Sequence, residues 1–93
     1  GGGRATIRYM YYVYAIYNDE IDRVYIGQTI DIVQRLLEHN NHTYKSSYTS
    51  RFDGKWRLVY KEVCQNRQEA LIREKQLKSF KGRQFIKTQI MPP

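Results

Sequence analysis

The first patterned stretch is "YMYYVYAIY", Tyr9 to Tyr17, in which β-branched and aromatic residues fill both alternating sets. A strand of that kind is covered on both faces. The polar run "NDEID" separates it from a shorter strand, "RVYIG", and a five-residue link predicts a hairpin. The period then changes. Ile32, Val33, Leu36 and Leu37 form the apolar stripe of a helix, capped by Thr29 or Asp31, with Asp31 and Gln34 spaced as a capping box. Residues 40–55 form a polar loop with room for a short helix. "WRLVYKEVC" is a third strand. Asn66 caps the next helix, "RQEALIREKQLKSF", with Glu69 in the capping-box position. "KGRQFIKTQI" predicts one more short helix with a break at Gly82. The order β-β-α-loop-β-α-α predicts an α+β domain built on a small three-stranded, mainly antiparallel sheet flanked by helices.

Ninety-three residues make one domain with a modest core. Residues 1–8, opening on three glycines, read as a flexible leader, residues 9–90 as the single domain and residues 91–93 as a tail. No apolar stretch approaches the ~20 residues of a membrane span, so no membrane partner is expected. Cys64 is the single cysteine, which rules out an internal disulfide and is compatible with a reducing, cytoplasmic setting. It closes an apolar strand and reads as packing. Charge adds more. Sixteen Lys and Arg against nine Asp and Glu give +7, and half of the basic residues follow Tyr60. A basic domain with that bias points to a polyanion, most often nucleic acid.

Glu74 is the first candidate for chemistry. Projected on its helix, it falls on the stripe marked by Ala70, Leu71 and Leu77. A carboxylate there needs compensation, because desolvating its charge costs several kcal/mol. An arginine or the edge of the core would supply it, and so would a divalent cation. Arg35 and His39, four apart, lie along one edge of the first helix's stripe. They fit an amphipathic rim, Arg35 snorkelling and His39 solvated. They also fit a phosphate fork and a group that titrates near neutrality.

Taken together, "Tyr12-Val13-Tyr14", ten residues, "Tyr25-Ile26-Gly27" and then Arg35 resemble the GIY-YIG nuclease domain. "QEALIREKQLKSF" is similar to the family's metal-binding helix, and "KSSYTSRF" to a segment of its small stand-alone bacterial members, near the N-terminal nuclease domain of UvrC. The resemblance covers roughly Tyr11 to Ile90. The first motif has Tyr12 where the family name has glycine, Gln28 replaces a basic residue found in some members, and no asparagine follows Lys81. The resemblance implies a DNA endonuclease using one Mg²⁺ (or Mn²⁺) on Glu74. Arg35 would hold the phosphate, and Tyr25, Tyr14 or His39 would manage the proton of the attacking water.

The remaining tyrosines, Tyr9, Tyr11, Tyr12, Tyr17 and Tyr60, read as packing or rim residues. In the loop, Tyr44, Tyr48 and Phe52 alternate with Lys45, Arg51 and Lys55. Aromatic faces that stack on bases and cations that track phosphates would favour single-stranded, branched or distorted DNA over plain duplex. A loop pinned to the core by Tyr48 and Phe52 is the plainer alternative. Tyr44, Lys45, Tyr48, Thr49 and Arg51, with Lys78 on the second long helix, form the expected nucleic-acid contact set. A non-catalytic nucleic-acid-binding module on the same fold is the second reading, and an interaction domain whose charge serves solubility the third. Oligomeric state is not legible.

Overall fold

A computed structural model describes residues 10–40 and 55–90. The expected leader, the tail, Tyr9 and all five loop residues of the contact set lie outside the described residues. Strand β1 (Tyr11–Asn18) lies between β2 (Arg23–Thr29) and β3 (Trp56–Cys64), antiparallel to both. Its central place explains why both of its alternating sets are apolar. The set containing Val13 and Ala15 packs with Ile26, Cys64, Ala70, Leu77 and Ile86. The set containing Tyr14 and Ile16 packs with Trp56, and with Ile32 and Leu36 at its margin. Helix α1 (Ile32–Asn40) thus covers one face, while α2 (Arg67–Lys78) and α3 (Phe80–Ile90) cover the other.

Local chemistry sets the element ends. In the hairpin turn, Asp22 takes a left-handed φ of 54°, which aspartate tolerates, and its carboxylate accepts the Tyr17 hydroxyl at 2.6 Å. Asp31 caps α1 by accepting the Gln34 amide at 3.1 Å. Asn66 caps α2 by accepting the Glu69 amide at 2.8 Å, and Glu69 reaches back to the Gln65 amide at 3.0 Å.

Three expectations need correction. Val33 and Leu37 are 72% and 52% exposed, so the buried stripe of α1 runs through Ile32, Leu36 and His39 instead. Leu71 is also exposed, and α2 buries only Ala70 and Leu77. The last helix does not break at Gly82. The chain turns three residues earlier, at Ser79, whose hydroxyl donates to the Gln76 carbonyl at 2.5 Å. Gly82 lies inside α3 because a Cβ there would collide with the backbone of Gln76 and Leu77. Glycine is present for close helix approach, which overrides its low helix propensity.

Candidate active site

The site is assembled from Tyr14 outward. Tyr14 stands opposite Gly27 in the β1–β2 register. A Cβ on residue 27 would lie 2.8 Å from Tyr14 Oη and 3.0 Å from Tyr25 Cε1, so the phenol crosses β2 where the side chain is missing. Beyond the glycine, Tyr14 Oη and His39 Nε2 are hydrogen-bonded at 2.9 Å. Tyr25 closes the cluster, with ring centroids 4.9 Å from His39 and 6.3 Å from Tyr14. Arg35, one turn before His39, hydrogen-bonds both tyrosines and pairs with Glu38 at 3.5 Å.

Burial, together with Arg35, sets the electrostatics. Burial, reinforced by the neighbouring Tyr25 and by the charge of Glu74, pushes Tyr14 up to about 12, against the opposing pull of Arg35. Burial and the Arg35 charge pull His39 down to about 4, with Glu38 opposing. His39 is therefore neutral at pH 7 and keeps a lone pair for a proton. Burial works against the Arg35 charge, but its hydrogen bonds and the two phenols outweigh that and hold its pKa above the ordinary value.

Glu74 comes from the opposite helix layer. Its half-buried carboxylate is compensated by Lys78 at 3.1 Å, not by an arginine. Its charge nevertheless reaches Tyr14, so it belongs to the same electrostatic neighbourhood. Among the described residues no three His, Cys, Asp or Glu side chains cluster. A cation at Glu74 would draw one carboxylate from this part of the chain. That suits Mg²⁺, which keeps several waters and completes its shell with substrate phosphates.

Tyr14, Tyr25, Arg35 and His39 thus come together on one patch, while Glu74 acts on Tyr14 only through its charge, from the opposite helix layer. The solvated reading of His39 fails, since the side chain is buried. Lys78 is spent on Glu74 in this state. Cys64 and Tyr60 pack as expected; burial raises both pKa values. Two residues were missed as site determinants. In the sequence Gly27 stands out only as a motif letter. Asn40 grips β3 by accepting the Trp56 amide at 2.7 Å and donating to the Trp56 carbonyl at 3.0 Å. It anchors the last turn of α1, where His39 sits, and its one sequence signal is a polar amide directly after that histidine.

The "GIY-YIG catalytic domain" family matches residues 10–87. The chain belongs to the GIY-YIG family. Its two motifs fall on the paired strands β1 and β2, and the class of chemistry attached to the domain is of nuclease type. The UPF0213 protein DP2720 of Desulfotalea psychrophila is 39% identical over 67 residues, which cover 69% of this chain and 60% of that protein. The match therefore spans less than two thirds of that relative. The solution NMR structure of the UPF0213 protein BH0048 from Bacillus halodurans is 25% identical, with a TM-score of 0.49 over 85% of this chain and 83% of the other. Among the described residues of this GIY-YIG domain, no helix is long and apolar enough to cross a membrane.

Proposed function

We propose that this domain hydrolyses phosphodiester bonds in DNA as a divalent-cation-dependent endonuclease. The observation that carries the reading is the convergence of Tyr14, Tyr25, Arg35 and His39 on one patch that also feels the charge of Glu74. A binding module has no need for a buried, neutral histidine against a tyrosine hydroxyl.

Arg35 binds the scissile phosphate, since a guanidinium stays charged and offers a planar fork to two oxygens. Tyr14 serves as a hydrogen-bonding group and not as the base. With a pKa of about 12, its phenolate is present in about one molecule in 10⁵ at pH 7. Tyr25, beside Arg35 and partly exposed, takes the proton of the attacking water in its phenolate form, its own phenolic proton having passed to solvent beforehand. Neutral His39 fixes the Tyr14 hydroxyl, and an incoming phosphate raises its basicity by offsetting the Arg35 charge. Glu74 would hold one Mg²⁺ or Mn²⁺, and when bound the ion supplies Lewis-acid polarisation of a phosphate oxygen.

The test is incubation of labelled single-stranded, duplex and branched DNA with the protein in Mg²⁺, Mn²⁺ or EDTA. Cleavage that requires the metal and is lost in Tyr25→Phe but only reduced in Tyr14→Phe is expected. Metal-independent cleavage, or full activity in Tyr25→Phe, would overturn these assignments. Binding without cleavage of any substrate would favour the binding-module reading.

A further inference from the structure

A groove of about 540 Å³ lies between the outer edge of β2 and α3. Ile86, fully buried, contributes to its wall. Four cations line it: Arg23, Lys78, Arg83 and Lys87. Asp22 is the lone acid among its lining residues, and that carboxylate already accepts the Tyr17 hydroxyl. The sequence reinforces the bias, since no Asp or Glu follows Glu74 anywhere in the chain. Arg83 and Lys87 are four apart on α3 and so share one face. Arg83 Nε donates to the Lys78 carbonyl at 3.1 Å, which ties its guanidinium to the end of α2.

The groove is continuous with the candidate active site. Tyr25 lines it and also packs against His39. Lys78 lines it and also pairs with Glu74. A strand lying along it would pass from Tyr25 onto the Arg83 and Lys87 face of α3.

We propose that this groove holds a single strand of DNA leading away from the cut phosphodiester, gripped by its phosphates at Arg83 and Lys87. The choice of DNA rests on the nuclease reading above. The choice of a single strand rests on shape and charge. The groove runs between a strand edge and a helix, and a cationic groove beside tyrosines is the usual platform for an unpaired strand. The preferred substrate is then one with a single-stranded arm next to the cleavage position, such as a flap or a frayed end.

The test measures binding in EDTA, where no cleavage occurs, by anisotropy of a labelled oligothymidylate and of a blunt duplex across about 50 to 200 mM salt. The double variant Arg83→Gln/Lys87→Gln should weaken oligothymidylate binding several-fold and leave duplex binding nearly unchanged. It should reduce the slope of log K against log salt by about 1.4, at ~0.7 per lost phosphate contact on a single strand. Lys87→Gln alone, at an exposed position that leaves the Arg83 contact intact, should lower the slope by about half that amount. Lys61→Gln, on the far strand β3, should change neither. An unchanged slope, or an equal loss on duplex and single strand, overturns the groove. A wild type that cuts DNA while the double variant binds and cuts like it overturns the groove alone. A wild type that binds oligothymidylate through these residues yet cuts nothing overturns the nuclease reading and leaves the groove standing.

Discussion

Gly27→Ala is the sharpest perturbation available, because it adds one methyl group where Tyr14 crosses β2. That methyl would start 2.8 Å from Tyr14 Oη, 3.0 Å from its Cζ and 3.0 Å from Tyr25 Cε1. Ordinary contacts begin near ~3.5 Å, so the phenol must retreat by about 0.5 Å or more. The far end of a side chain can often move that much cheaply. Tyr14 cannot, because it is 2% exposed, packed with Ile16 and Trp56, and hydrogen-bonded to His39 at 2.9 Å. Overpacking of this kind costs about 1–3 kcal/mol of folding stability. A hydrogen bond of 2.9 Å has only a few tenths of an ångström before it passes the ~3.2 Å limit. A misplacement near 1 Å costs about 10²-fold in rate, so a shift of half that size should lower kcat by about tenfold with little change in KM. Urea denaturation gives the stability term, steady-state cleavage of labelled DNA gives the kinetic one, and far-UV circular dichroism confirms that the variant is folded. A folded Gly27→Ala protein with kcat within about twofold of wild type would refute the reasoning: the missing side chain would then not be what lets Tyr14 reach its partner.

Other outcomes follow from the same geometry. Glu74→Ala should abolish metal-dependent cleavage while DNA binding measured in EDTA largely survives; equal cleavage by that variant would remove the metal assignment. Arg35→Lys keeps the charge but loses the fork, and kcat/KM should fall at least about tenfold; wild-type turnover would count against a bidentate phosphate contact. His39 holds its proton at about 4 when folded against 6.5 ordinarily, so the unfolded chain binds more protons between those values. Stability is full above pH 6.5 and falls by about 3 kcal/mol as pH drops toward 4. Urea titrations at neutral and acid pH should show that loss, and His39→Gln should flatten it. Asn40→Ala unpairs both polar groups of the Trp56 backbone and should destabilise the fold by about 1–3 kcal/mol, read by the same titration.

The hairpin, the third strand and both helix caps were legible because each rests on local chemistry. Alternation, the Asp31 and Asn66 caps and the polar turn are facts about neighbours in the chain. The faces of the helices were less legible. A projection of α1 gives Ile32, Val33, Leu36 and Leu37 as one stripe, yet contact with the sheet is narrow and rotated, so that His39 is buried and Val33 is not. Nothing in the sequence fixes that rotation, since it is set by where Tyr14 and Trp56 leave space. Gly82 misled for a related reason: a helix breaker by propensity, it answers to the closeness of α2, a tertiary fact. The candidate site was visible as a list of residues through the family resemblance. Its wiring was not, because the Tyr14–His39 bond, the grip of Asn40 on Trp56 and the pairing of Glu74 with Lys78 depend on distances across layers.

Strand β1 carries a consequence for folding fidelity. Its odd residues Val13 and Ala15 belong to the core shared with α2 and α3, and its even residue Tyr14 belongs to the candidate chemistry. Its pairing with β3 already contains one irregularity, between Ala15 and Ile16. A slip of a single residue turns every side chain to the other face. In such a chain Tyr14 would be entombed beneath α2 and α3, and a short apolar side chain would face His39. Misfolded molecules of this type could keep a sheet and much of their helix content while being inert. Specific activity per folded molecule is therefore a proofreading signal for strand register, one that circular dichroism alone would not supply.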